Sequence, residues 1–230
     1  YSCASSLVIS LVLLNILTFC AKVFVKPEKI GLLNKLLKAG YSDVELVKFA
    51  MEGERLASGT AHADNVAPAL CGGFTLVRSY SPLDIIKLNT PSDLYATVVH
   101  PQIEVKTSDA RKVLRISVPL KKAVMQWGNV GGLVAGLYRE DYELIGRSLQ
   151  DVIVEPIRSM LIPGFDQVKA ESLKAGALGC SISGSGPSIF ALSKGKETAE
   201  KVKKAMGDVY KNFGIDYNIH LSKVNPNGAQ

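Results

Sequence analysis

Cysteine is scarce and dispersed: Cys3, Cys20, Cys71 and Cys180 share no short spacing. That excludes a thiolate zinc motif and a disulfide-stapled scaffold, and leads to the expectation of reduced, buried thiols in a cytoplasmic protein. Histidine is scarcer still, and His62, His100 and His220 are too far apart to form a helical or loop metal motif. Aromatic residues make up only 7% of the chain and do not interleave with lysine and arginine. The net charge of +6 therefore suits an anionic ligand without describing a nucleic-acid surface. The densest basic run, Lys201 to Lys204, falls in a helical pattern and reads as a solvated face. No repeat and no low-complexity tract interrupts the chain.

What is present is an ordinary globular composition: 230 residues, 47% hydrophobic and 21% charged, enough for one large domain or two small ones. One long apolar run, Leu7 to Val25, has the length of a membrane span. No basic residue precedes it, and a buried helix is the favoured reading. A basic amphipathic stretch, Glu28 to Lys38, ends at Gly40. Ser42-Asp43-Val44-Glu45 is a capping box that opens a helix with Val44, Val47, Met51 and Leu56 at helical spacing. Strands are expected at Phe74 to Arg78 and Tyr95 to His100, with proline-bearing segments between them and a subdomain boundary near Asn89 to Asp93. Helices are expected at Ser108 to Leu114, Lys122 to Tyr138, Tyr142 to Leu161, from Phe165 to Ala175, and Thr198 to Phe213. Further strands fall around Cys180, at Ile189 to Leu192 and at Asn218 to Ser222. This alternation predicts an α+β sandwich.

Two polar turns stand out. Ser58 to Pro68 places His62, Asp64 and Asn65 beside small residues, just after Glu54 at the end of the capped helix. Glu54 is either a magnesium ligand or a solvated carboxylate, His62 either a working or a structural imidazole, and Asp64-Asn65 can equally cap a helix beginning near Val66. Ser183-Gly184-Ser185-Gly186-Pro187 lies between two apolar strands, so it either cradles a phosphate or buttresses a neighbouring loop. Arg111 and Arg158 lie on separate helical segments. They are either surface residues or, if they converge, a bidentate clamp for a carboxylate.

The ordered series Glu-Gly-Glu, His62-Ala-Asp-Asn-Val-Ala-Pro, Thr-Ser-Asp-Ala-Arg111, Glu-Pro-Ile-Arg158 and Gly-Cys-Ser-Ile-Ser-Gly-Ser-Gly-Pro resembles the homoserine kinases of the GHMP small-molecule kinase superfamily over about residues 42 to 230. The resemblance implies a two-subdomain fold, with a partial N-terminal, ATP-binding subdomain over 1–90. Over 91–230 it implies a ferredoxin-like α/β sandwich C-terminal subdomain. It implies ATP-dependent phosphorylation of the side-chain hydroxyl of L-homoserine in threonine biosynthesis, with Mg2+ held by Glu54. His62, Asp64 and Asn65 are then expected around the substrate hydroxyl and γ-phosphate, with Asp64 and Asn65 as the catalytic candidates. Arg111 and Arg158 are expected on the amino-acid carboxylate, and Ser183, Gly184, Ser185 and Gly186 beside the phosphate loop. A homodimer that binds neither nucleic acid nor membrane is implied as well.

The family's G-L-G-S-S phosphate loop is expected upstream of Tyr1, with Ser2 and Cys3 at its paired serine positions as further nucleotide contacts. A soft thiol in place of a hard hydroxyl, and the missing loop, lead to the expectation of weak turnover by the short chain. Another kinase of the superfamily, acting on mevalonate or a sugar, and a non-catalytic membrane-attached derivative are the competing readings.

Overall fold

The computed structural model describes residues 27–58, 61–105, 113–114 and 117–228. Within it the chain divides at Thr90/Pro91 into two compact units, the second running to Val224, after which the chain returns to the first. Among the described residues no helix is long and apolar enough to cross a membrane. The run from Leu7 to Val25 lies outside them.

The first unit is built on helices α1 (Pro27–Leu36), α2 (Asp43–Ser58) and α3 (Ala63–Cys71), followed by the hairpin β1 (Phe74–Tyr80) and β2 (Leu83–Leu88). The capping box at Ser42 is formed: Glu45 Oε2 accepts the Ser42 backbone N–H at 2.8 Å, and Ser42 Oγ accepts the Glu45 N–H at 3.4 Å. The buried face of α2 is Leu46, Val47 and Ala50, packed with Ile30, Ala63, Val66, Ala67 and Val77. Leu56, expected on that face, is instead 87% exposed. The β1–β2 pairing is antiparallel, from Phe74↔Leu88 to Tyr80↔Leu83. β2 was not among the expected strands, because Pro82 marks its surroundings as a loop, whereas that proline sits in the turn. Gly72, with φ +72°, ends α3 where the returning chain passes: a Cβ there would lie 2.2 Å from the Asn227 carbonyl carbon. Glycine is the residue that fits.

The second unit runs β3 (Leu94–Pro101), α4 (Leu120–Arg139), α5 (Tyr142–Ser148), α6 (Glu155–Arg158), a 3-10 turn (Ser159–Leu161), α7 (Phe165–Lys174), β4 (Gly179–Ile182), β5 (Ile189–Lys194), α8 (Lys196–Phe213) and β6 (Tyr217–Lys223). Its sheet has the order β4-β5-β3-β6, with every neighbouring pair antiparallel. This is the ferredoxin-like βαββαβ arrangement expected for the C-terminal subdomain. One sheet face packs Val99, Cys180, Ile182, Ile189 and Ala191 against Phe165 and Val168 of α7 and Val202, Met206 and Tyr210 of α8. Leu94, Ala96 and Val98, which alternate to the other face of β3, are equally buried. A strand covered on both faces needs apolar side chains on both, which Leu94, Ala96, Val98 and Val99 supply, while the buried Thr97 hydroxyl donates to the Ala199 carbonyl at 3.4 Å.

The single helix expected from Tyr142 to Leu161 is not formed. α5 stops at Ser148, and the Asp151 carboxylate accepts the N–H groups of Ile153 and Val154, each at 2.8 Å. That local turn competes successfully with helix continuation. Pro156 then falls in the first turn of the short α6, where its missing N–H costs nothing.

Candidate functional site

Two clusters emerge, one in each unit. In the first unit α2 ends just short of the turn that leads into α3. Glu54, on the last turn of α2, accepts the His62 backbone N–H at 3.0 Å through Oε2 and is also hydrogen-bonded by the Asn65 side chain. His62 Nδ1 stands 4.0 Å from Asp64 Oδ1, with the two side chains 20% and 21% exposed. The structure thus brings Glu54, His62, Asp64 and Asn65 together. Burial pushes the Glu54 carboxyl above its ordinary value; the His62 N–H, the His62 ring and the Asn65 amide oppose that rise, and Asp64 adds to it. α3 begins at Ala63, earlier than the Val66 start weighed from sequence, with His62 at the N-cap position. Asp64 and Asn65 therefore sit inside its first turn, where the helix dipole favours negative charge.

The second cluster is organised by α6, a helix of four residues that holds two elements at once. At its start the buried Glu155 is ion-paired with Lys169 of α7 and accepts the hydroxyl of Ser181 in β4. At its end Arg158 Nη1 donates to the Gly184 carbonyl at 3.1 Å, so the guanidinium is drawn onto the glycine-rich loop. That loop is closed by Ser183 N–H to Ser188 C=O at 2.8 Å and Gly186 N–H to Ser183 C=O at 3.0 Å. Gly184 and Gly186 have φ of +59° and +82°, the left-handed region in which their lack of a Cβ removes the strain.

Arg111, Ser2 and Cys3 lie outside the described residues, so the clamp expected from two arginines is described for Arg158 alone. Among the described residues no group of three or more His, Cys, Asp or Glu side chains stands together as a ready metal cage. Cys71 and Cys180 are free and buried. Burial pushes their thiols up to about 11 and about 12, which leaves neither as a nucleophile at neutral pH. Sequence reasoning gave no role to Glu155, although it starts the Glu-Pro-Ile-Arg motif, nor to His100, whose ring Nδ1 lies 2.8 Å from Ser188 Oγ. An acidic residue directly before a helix-starting proline was the available signal for Glu155. His100 had none.

This arrangement has counterparts. Residues 133–212, which lie within the second unit, match the family described as GHMP kinases C terminal. The likeness narrows further. The chain is 59% identical over 177 residues to a homoserine kinase of Chlorobium phaeobacteroides, covering 77% of this chain and 55% of the relative. It is 42% identical over 186 residues to a homoserine kinase of Pyrococcus furiosus, covering 80% of this chain and 62% of that one. The crystal structure of homoserine kinase from Cytophaga hutchinsonii superposes with a TM-score of 0.82 at 59% identity, over 85% of this chain and 62% of that one. The chain is thus similar to homoserine kinases over most of its own length, and it spans between 55% and 62% of the length of these relatives.

Proposed function

We propose that the protein acts as a homoserine kinase, transferring the γ-phosphoryl group of ATP to the side-chain hydroxyl of L-homoserine in threonine biosynthesis. The observation that carries this reading is the 59% identity to a homoserine kinase over 177 residues. In this reading the first unit belongs to the ATP-binding subdomain. Two sites of the right chemistry support it: the carboxylate and amide cluster of Glu54, His62, Asp64 and Asn65, and the loop held by Arg158.

The catalytic task is positioning and charge neutralisation rather than covalent chemistry. Arg158, with Arg111, binds the substrate carboxylate and so fixes where the hydroxyl lies. In this reading Asn65 serves to orient a substrate hydroxyl, and Asp64 is the candidate acceptor for its proton. Ser183 to Gly186 buttress the phosphate-binding loop, and Ser2 and Cys3 add contacts on the nucleotide side. Glu54 fits a magnesium ion, being an oxygen donor whose charge is penalised by burial and would be relieved by a hard cation. When bound, Mg2+ supplies charge neutralisation to the phosphates. A cytoplasmic homodimer belongs to the same proposal, supported in its location by the free thiols of Cys71 and Cys180.

A coupled ADP-release assay with L-homoserine, mevalonate and galactose as alternative acceptors tests the assignment, with phosphorus NMR to identify the product. Homoserine-dependent release with formation of a phosphate monoester is expected. Release that depends on mevalonate or galactose and not on homoserine would overturn the substrate.

A further inference from the structure

β3 and β5 pair in register up to Val99↔Ile189, and the next residue outward on each strand is His100 and Ser188. Their side chains continue the ladder where the backbones part, with His100 Nδ1 2.8 Å from Ser188 Oγ. Ser188 is only 6% exposed, and its carbonyl also closes the loop on Ser183. Beyond His100 the chain proceeds through Pro101 to the Thr107 to Arg111 segment, and before Ser188 lies Ser183 to Pro187. β3 stays paired with β6 through His100↔Asn218 and Pro101↔Tyr217, so His100 is held in the sheet at the point where the loop leaves it at Ser188.

We propose that His100 is a positioning residue, holding the base of the Ser183–Pro187 loop to β3 through Ser188. Arg158 fixes the same loop at its tip through Gly184, so the pair completes a two-point support. A loop pinned at tip and base on rigid elements presents its polar groups with little freedom to lose on binding. Burial lowers the His100 ring below its ordinary value, so the neutral imidazole is the partner at pH 7. Asparagine can place a polar atom near the Nδ1 position, whereas leucine cannot.

The consequence for nucleotide use rests on the proposed kinase reading; the consequence for the loop does not. Hydrogen exchange followed by mass spectrometry on the full chain compares the protein with His100→Leu, His100→Asn, Ser188→Ala and the Leu/Ala double variant. His100→Leu and Ser188→Ala should each speed exchange of the 183–188 amides about tenfold, with α8 unchanged. The double variant should exchange no faster than the faster single one, and His100→Asn should stay near the parent protein. In ADP release, His100→Leu should lower kcat/KM for ATP about tenfold and leave KM for homoserine within about twofold, with His100→Asn restoring it. Unchanged loop exchange in both single variants overturns the proposal. So does a loosened loop with unchanged kcat/KM. Failure of the parent protein to use homoserine would strike the kinase assignment alone, because the exchange experiment needs no substrate. Should His100→Leu fail to fold, Ser188→Ala and His100→Asn decide the matter by the same readouts.

Discussion

The Glu54 carboxylate accepts the backbone N–H of His62 at 3.0 Å, joining the end of one helix to the cap of the next. The same carboxyl is pushed up by burial, so its charge is a cost to the folded state. Its contribution to stability is present below the ordinary carboxylate value and is lost as pH rises through the raised one. Glu54→Gln keeps an acceptor for His62 and removes the charge. At pH 7 it should leave the thermal midpoint unchanged or slightly raised, while kcat in ADP release falls by about tenfold or more. A drop in midpoint of more than about 5 °C would show that the carboxylate is structural.

Arg158 makes a directional contact with Gly184 that a lysine cannot reproduce while also gripping a carboxylate. Arg158→Lys should raise KM for homoserine by about tenfold and, because the Gly184 contact is lost, lower kcat/KM for ATP by a smaller factor. Steady-state kinetics with each substrate varied in turn checks this, and equal effects on both would argue against a substrate-carboxylate role. The same split is expected for Arg111.

Lys169 neutralises Glu155 under α7, where that carboxylate is 8% exposed. Lys169→Met strands a buried charge and should cost about 3 kcal/mol in urea unfolding. Adding Glu155→Gln should recover part of that loss, since the charge is then gone. Simple additivity of the two losses would mean that the pair is not coupled.

Gly72→Ala meets both a positive φ and a backbone atom at 2.2 Å. Neither relaxes by a rotamer change, so a loss of about 3 kcal/mol is expected by chemical denaturation. A loss below about 1 kcal/mol would show that the returning segment at Asn227 moves aside freely.

His100 has its proton affinity lowered by burial. The unfolded chain then binds that proton more tightly, and the associated stability, present above the ordinary imidazole value, is lost as pH falls through the lowered one. The unfolding midpoint should decline as pH falls below the ordinary imidazole value, and His100→Asn should flatten that decline. An identical slope in the variant would assign the decline to other groups.

Several of these features were legible in the sequence because their cause is local. The capping box at Ser42 names the start of α2 by itself, and Glu54, His62, Asp64 and Asn65 lie close enough along the chain for one turn to gather them. β2 was missed because a proline was taken as a property of a whole segment rather than of its turn. The long helix expected over Tyr142 to Leu161 was overestimated because apolar spacing carries no record of the Asp151 side chain capturing two N–H groups. Leu56 shows the same limit: helical spacing sets which residues share a face and is silent on how far along the helix a neighbour reaches.

The amino-acid order alone determined the alternation of strands and helices, the sharp turns at glycine and proline, and the series of motifs that resembles a kinase, since each depends on near neighbours and on the steric limits of single residues. Only the tertiary structure decided that Arg158 lies on Gly184, that Glu155 serves Lys169 and Ser181, and that His100 lies against Ser188. Those pairs join parts of the chain far apart in sequence. Their meeting is set by sheet register and by helix packing, which are fixed only when the whole core closes.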